Sequence, residues 1–97
     1  MVKDVYTFFA PNAFTPDGDG LNDVFLPQGH AIDLNEYKLY IFNRWGEIIF
    51  ETYHYDEGWD GTVNGVLVQM DTYVWRVELQ DIFGENHKYI GRVSVVR

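Results

Sequence analysis

The chain has 97 residues, 46% of them hydrophobic and 18% aromatic, so it has the length and apolar content of a single folded domain. Its formal net charge of -8 excludes the basic footprint that nucleic-acid binding requires. The absence of cysteine excludes disulfides and thiolate metal ligands, and no apolar run approaches the roughly 20 residues of a membrane-spanning helix.

Short stretches in which apolar and polar residues alternate follow one another along the chain. Clusters of Gly, Asn and Asp separate them, a pattern typical of antiparallel β-sheets. The first predicted strands cover residues 5–9 and 24–26, and an acidic loop over residues 17–23 lies between them. Strands 37–42 and 47–52 follow as a hairpin, because a four-residue Asn-Arg-Trp-Gly turn joins them.

Two long strands are predicted near the end of the chain, over residues 72–80 and 88–96. In the first of them, one face carries four apolar residues, Tyr73, Trp75, Val77 and Leu79, and the other carries Arg76, Glu78 and Gln80. One face of this strand is therefore predicted to be buried and the other exposed to water. We predict an all-β domain over residues 1–97, an immunoglobulin-like two-sheet antiparallel sandwich of about 6–8 strands.

The residues that perform catalysis in other proteins show no catalytic pattern in this sequence. Ser94 alternates with valines in a predicted strand, without the strained turn that exposes a nucleophilic serine. The histidines at positions 30, 54 and 87 are predicted in three different loops, without the close spacing of metal ligands. We therefore interpret the domain as a binding or targeting module and not as an enzyme.

The acidic loop is the strongest candidate for a metal site. Its oxygen ligands would be the side chains of Asp17, Asp19, Asn22 and Asp23 and a backbone carbonyl near Leu21. Such hard oxygen ligands favour calcium, although the spacing differs from that of an EF-hand. A pair of tight turns, in which Asp and Asn side chains accept backbone N–H groups, accounts for the same composition. A structural calcium ion and a turn without metal are both open.

Two further clusters combine a large aromatic residue with turn-forming residues. Arg44 and Trp45, at the tip of the first hairpin, indicate either a stacked structural pair or an exposed contact. Trp59, followed by Asp60 and Gly61, indicates a tryptophan that anchors a double turn on the core. Alternatively, Trp45, Trp59 and exposed tyrosines form a platform that stacks on sugar rings, which requires both tryptophans to be exposed.

Four segments and the end of the chain together resemble one family: FTPDGDGLND, LYIFNRWGEIIFE, WDGTVNG, TYVWRVEL and YIGRVSVVR. From Asn12 to Arg97 the chain resembles the gliding-motility-associated C-terminal domain, the type B sorting domain of the type IX secretion system. The family's acidic loop corresponds to Asp17, Asp19, Asn22 and Asp23, its hairpin signature to Asn43, Arg44, Trp45 and Gly46, and its aromatic turn to Trp59, Asp60 and Gly61.

The resemblance implies a non-catalytic sorting signal at the C-terminus of a large secreted or cell-surface protein such as an adhesin. The signal peptide is expected outside this chain. Recognition of the folded domain by the type IX translocon and by an accessory outer-membrane β-barrel protein would export the passenger through the periplasm to the cell surface or the extracellular space.

We expect a monomer that does not itself span a membrane and in which any calcium is structural. The predicted recognition surface consists of the last hairpin, residues 72–80 and 88–97 up to Arg97, and the loops at one end of the sandwich, because an unpaired edge offers backbone hydrogen bonds to a partner. A carbohydrate-binding module and a plain immunoglobulin-like spacer are the alternative functions.

Overall fold

The computed structural model describes residues 5–18 and 23–96. Within these ranges the regular structure consists of nine strands: β1 (Thr7–Phe9), β2 (Ala13–Phe14), β3 (Gln28–His30), β4 (Ile32–Phe42), β5 (Ile48–Thr52), β6 (Thr62–Val63), β7 (Val66–Leu67), β8 (Thr72–Asp81) and β9 (Asn86–Val95). A helix long and apolar enough to cross a membrane does not occur in this part of the chain. The predicted all-β class is confirmed.

The main sheet has five strands in the order β2-β9-β8-β4-β5. Both predicted hairpins, β4–β5 and β8–β9, are present in it and are antiparallel. The two-residue strand β2 runs parallel to β9, so the sheet is mixed where an antiparallel one was predicted. The β8–β9 pairing runs in one register from Thr72 opposite Ser94 to Gln80 opposite Asn86, whereas the pairings of β4 contain register shifts.

The buried face of the main sheet follows from the alternation in the sequence. Side chains of successive strand residues point to opposite faces, and the four alternating apolar residues of β8 are all buried. Gly91 of β9 lies opposite Trp75, and a Cβ atom on Gly91 would lie 2.5 Å from Cζ2 of the indole. This glycine therefore makes room for the tryptophan ring on the core face.

A second layer covers that face, built from short strands and loops. The ring of Phe8 in β1 and the ring of Phe25 lie 6.2 and 6.0 Å from the ring of Trp75. Trp59 is fully buried, with its ring 5.3 Å from that of Tyr73. The packing of two layers is compatible with the predicted sandwich, but within residues 5–18 and 23–96 the sheets outside the main one are only the two-stranded ribbons β1–β3 and β6–β7.

The predicted strand over residues 24–26 is wrong. Phe25 forms only an isolated bridge with Trp59, in which each residue donates its N–H to the carbonyl of the other, at 2.8 and 3.0 Å. Pro27 has no N–H to donate, which prevents a longer ladder in this segment.

The prediction that all three histidines lie in loops is wrong for two of them. His30 is the last residue of β3 and His87 is the second residue of β9, whereas His54 lies in a loop. The turn after β8 is short because Asp81 caps it, so the pairing of β9 with β8 already begins at Asn86.

Candidate functional site

The acidic loop is described at its two ends. Gly18 has a φ of 80°, and its N–H donates a 2.9 Å hydrogen bond to Oδ1 of Asp23, so this carboxylate connects the two ends of the loop. The N–H of Asp17 donates to the carbonyl of Thr15 at 2.9 Å. Bonds of this kind are what the turn interpretation predicts. Three predicted ligands lie outside the described residues: Asp19, Leu21 and Asn22. Calcium binding therefore stays a prediction.

The start of the acidic loop packs on the aromatic turn. Nε1 of the buried Trp59 donates to the carbonyl of Thr62 at 3.1 Å. Oδ1 of Asp60 accepts the N–H and the hydroxyl of Thr62, at 3.0 and 2.7 Å. Gly61 has a φ of 81°, and a Cβ atom there would lie 3.1 Å from Cγ of Pro16. Trp59 thus anchors this turn on the core, and its burial excludes it from a sugar-binding platform.

Asn43 organises the turn between β4 and β5. Its Oδ1 accepts the N–H groups of Trp45 and Glu47, both at 3.0 Å, and its Nδ2 donates to Oε1 of Glu47 at 2.9 Å. Gly46 donates its N–H to the carbonyl of Asn43 at 3.0 Å and has a φ of 80°, a conformation that favours glycine. These bonds hold Trp45 in a defined turn at the end of the sheet.

The tip of this turn presents a tryptophan to solvent. Trp45 is 75% exposed, and the guanidinium carbon of Arg44 lies 5.4 Å from the centroid of its ring. The pair is therefore both stacked and exposed. Arg44 also forms an ion pair with Asp71, which connects the turn to the loop before β8. Hydrogen bonds lower the pKa of Asp71; the one from Arg44 has the largest effect, and the one from the N–H of Thr72 has the next largest.

A buried carboxylate that sequence reasoning missed closes the turn between β8 and β9. Asp81 is 4% exposed; its Oδ1 accepts the N–H groups of Phe83 and Glu85, at 2.8 and 3.0 Å, and its Oδ2 lies 2.8 Å from Nε2 of His87. The hydrogen bond with His87 and the two N–H bonds lower the pKa of Asp81. The signal in the sequence is an Asp three residues before Gly84, a turn pattern.

Asp81, Glu85 and His87 also bring three potential ligand atoms within 4.8 Å of one another. Both oxygens of Asp81 are already occupied by the hydrogen bonds that cap the turn. We interpret this cluster as a turn cap and not as a metal centre.

The N-terminal segment is fixed to the core face of β9 by stacked rings. The rings of Tyr6 and His87 lie 4.1 Å apart, and those of Phe8 and Tyr89 lie 4.3 Å apart. The hydroxyl oxygens of Tyr6 and Tyr89 are 2.6 Å apart. Burial, together with this hydrogen bond, raises the pKa of Tyr6. The core face of β9 is therefore covered, which leaves its other face and its outer edge for contacts with other molecules.

The uncovered face of the main sheet carries most of the positive charge. Of the five Lys and Arg residues in the described ranges, four lie at outward-facing positions of its strands: Lys38, Arg76, Lys88 and Arg92. The guanidinium carbon of Arg76 lies 4.8 Å from the ring centroid of Tyr40 and 5.4 Å from that of Phe42. Its Nε lies 3.1 Å from Oε2 of Glu78, so the two side chains form an ion pair, but the angle at Nε–H does not allow a hydrogen bond.

Over most of its length, the outer edge of β9 has no pairing strand among the residues that the structure describes. β8 is paired on both sides, so the free edge of the last hairpin belongs to β9 alone. The N–H of Ser94 donates to the carbonyl of Asn12 at 2.9 Å, and by alternation the N–H groups of Lys88, Ile90 and Arg92 point to the same side. There, no strand from the described ranges pairs with them. Arg97, the predicted end of this surface, lies outside those ranges.

The family of the chain is identified by a match over nearly its whole length. A family profile described as the CHU_C type IX secretion signal domain matches residues 8–95. The chain belongs to this family. No curated protein matches it. The family agrees with the resemblance carried by the sequence motifs, and it identifies the domain as a type IX sorting signal. A signal of this class implies interaction with the type IX secretion system and export to the cell surface or the extracellular space.

Proposed function

We propose that the domain is a non-catalytic C-terminal signal that the type IX translocon and an accessory outer-membrane β-barrel protein recognise in its folded state. It directs a large passenger, such as an adhesin, through the periplasm and across the outer membrane. The observation that carries this proposal is the family match, because it covers residues 8–95 and hence almost every described strand.

The structural roles of the motif residues support recognition of a folded domain. Asn43 holds a turn through three hydrogen bonds of its side chain, Trp59 anchors the second layer, and Gly61 allows Pro16 to pack on it. These residues are far apart in the sequence and fulfil their roles only in the folded chain. An unfolded segment that contained any one motif would lack the arrangement that the others create.

Two surfaces of the folded domain are available to the secretion machinery. One is the outer side of β9, where the backbone N–H groups of Lys88, Ile90 and Arg92 have no pairing strand within the described ranges, and the other is the turn that presents Trp45. Exposed tryptophans on rigid supports are frequent hot spots of protein interfaces. We propose that the translocon and its accessory protein contact these surfaces, and that no covalent chemistry is required of the domain.

The test is a fusion of a signal peptide, a reporter and residues 1–97, expressed in a bacterium that has a type IX secretion system. We expect the reporter outside the cell. A Trp59→Ala fusion is expected to stay in the periplasm, because loss of a buried tryptophan costs about 3–5 kcal/mol and unfolds a marginally stable domain. Circular dichroism of the purified variant checks that unfolding.

Two results contradict the proposal. If the wild-type fusion stays inside the cell while the accessory proteins are present, the domain is not a sorting signal. If the unfolded Trp59→Ala fusion is exported as well as wild type, the signal is not read in its folded form.

Carbohydrate binding is a second candidate, favoured only by the exposure of Trp45. A stacked sugar ring would change the fluorescence of Trp45, whereas Trp59 and Trp75 are buried and would not respond. A titration with soluble oligosaccharides that changes the fluorescence of the wild-type domain and not that of Trp45→Ala would establish this function. An unchanged spectrum rejects it.

A further inference from the structure

The β9 edge, defined here as the outer side of residues 86–92, has the regularity of a strand that can accept another strand. Over this stretch β9 pairs with β8 without a bulge or register shift. It contains no proline, and its N–H groups at Lys88, Ile90 and Arg92 have no pairing strand among the described residues. The opposite edge of the sheet, β5, is less suitable because its pairing with β4 is irregular. Bulges are one of the ways in which proteins prevent pairing at an edge.

The side chains at the β9 edge select the chemistry of a partner. Lys88, Ile90 and Arg92 share the uncovered face of the sheet, and β9 contains no acidic residue. The whole chain, by contrast, has fifteen Asp and Glu residues against seven Lys and Arg. A concentration of cations on one edge of a strongly acidic protein favours an acidic partner.

Protection against aggregation explains these observations only in part. Lysine on an edge strand discourages pairing with other copies, so Lys88 alone would fit that role. Ile90 does not fit it, because this isoleucine is 67% exposed between the two cations. An apolar side chain flanked by two positive ones is instead complementary to a strand that has an apolar side chain flanked by two carboxylates.

We propose that the β9 edge binds an extended acidic segment of a partner protein, which joins the sheet as an additional strand beside residues 86–92. On the uncovered face, the segment places carboxylates next to Lys88 and Arg92 and an aliphatic side chain next to Ile90. Its sequence pattern is therefore acidic, aliphatic, acidic at alternate positions, which is the same in both strand directions. This inference rests on the proposed function in that it assigns the segment to the secretion machinery.

The chain offers a matched pair of variants. Lys38 and Lys88 are the two cross-strand neighbours of Glu78, on opposite sides of β8. Lys38→Glu and Lys88→Glu therefore make the same charge change on the same face and beside the same carboxylate. Only Lys88 lies on the β9 edge.

The probe is an eight-residue peptide that carries the acidic, aliphatic, acidic pattern at alternate positions. Binding is measured by fluorescence anisotropy with residues 1–97, and its location by NMR shifts of the backbone amides. We expect the largest shifts and slower amide exchange at Lys88, Ile90 and Arg92. Lys88→Glu is expected to weaken binding about fivefold or more, and Lys38→Glu less than about twofold.

Two modified peptides separate backbone pairing from simple charge attraction. Replacement of the acidic residues by lysine is expected to abolish binding. Methylation of the peptide nitrogens that face β9 is expected to do the same, because it removes the donors of the new ladder. Methylation of the nitrogens that face away from β9 leaves that ladder intact and is expected to preserve binding.

The inference is overturned by the absence of binding, by equal losses for the two lysine variants, or by amide shifts elsewhere. It is also overturned if sedimentation shows that the β9 edge is occupied by a second copy of the chain, with self-association that Lys88→Glu abolishes. The reporter assay separates it from the proposed function. If the peptide binds as expected and the wild-type fusion is not exported, only the proposed function fails. If Lys88→Glu is exported as well as wild type and the peptide does not bind, only this inference fails.

Discussion

Gly91→Ala tests the packing of β9 on the core. The added Cβ would lie 2.5 Å from Cζ2 and 2.7 Å from Cε2 of the buried Trp75 ring. Carbon atoms in contact normally lie about 3.5–4.0 Å apart, so either the ring or the strand must shift by about 1 Å. Overpacking of this kind costs about 1–3 kcal/mol, and we expect a loss of about 2 kcal/mol in the free energy of unfolding. Urea unfolding followed by tryptophan fluorescence measures it.

Two further variants identify the cause of that loss. Gly84→Ala is the control for a glycine in the tight turn, where φ is 90° and an added Cβ would meet no other atom within 4 Å, so only backbone strain of about 1 kcal/mol is expected. In a Trp75→Leu background, Gly91→Ala is expected to cost less than about 0.5 kcal/mol, because the indole is absent. If Gly91→Ala is as stable as wild type, or if it costs the same in both backgrounds, the contact between Gly91 and Trp75 is not as described.

Three further predictions concern single groups. The pKa of Asp81 is lowered in the folded domain, so its carboxylate stabilises the fold above the unfolded pKa of about 3.9, and this stabilisation is lost as the pH falls through the folded-state pKa. The stability of Asp81→Asn against acid unfolding is therefore expected to depend less on pH than that of wild type. The buried hydroxyl of Tyr37 has no hydrogen-bond partner among the described residues, so Tyr37→Phe is expected to match the stability of wild type in urea unfolding or to exceed it by up to about 1 kcal/mol. Burial also raises the pKa of Tyr37 in the folded domain, so wild type loses stability above about pH 10, where the unfolded tyrosine ionises, and Tyr37→Phe is expected to lose less. If the acidic loop binds calcium, calcium raises and chelator lowers the melting temperature of wild type but not of Asp19→Ala; equal melting temperatures under all conditions leave the loop a simple turn.

The two hairpins were predictable because their signals are local. In β8, large apolar residues occupy every second position from Tyr73 to Leu79, and the turn after β4 contains Asn43 and Gly46, which supply its side-chain acceptor and its positive φ. The second layer was not predictable in detail. It depends on a bridge between Phe25 and Trp59, residues far apart in the sequence that neither alternation nor turn residues connect.

The candidate site was predictable to a similar extent. Trp59 was expected either to anchor the aromatic turn on the core or to lie exposed in a sugar-binding platform, and its burial supports the anchor. The exposure of Trp45 could not be predicted, since its stacking on Arg44 does not determine whether solvent reaches the ring. The burial of Asp81 was missed, because it depends on the distant contact of Tyr6 with His87 as well as on the turn.

The cations of the uncovered face also required the structure. Alternation places Arg76 and Arg92 on outward faces of their own strands, but only the strand order brings them onto one sheet with Lys38. The free edge likewise became clear only from the pairing. β8 lies between β9 and β4, whereas on the outer side of β9 only the two-residue β2 pairs with it among the described strands.

The most direct test of the central claim is the fraction of a reporter found outside the cell when it is fused to residues 1–97 behind a signal peptide. The measurement is made in a host with a type IX translocon and in the same host without it. We expect export in the first strain and retention in the periplasm in the second. Export that does not depend on the translocon, or retention in both strains, would contradict the assignment of this domain as a type IX sorting signal.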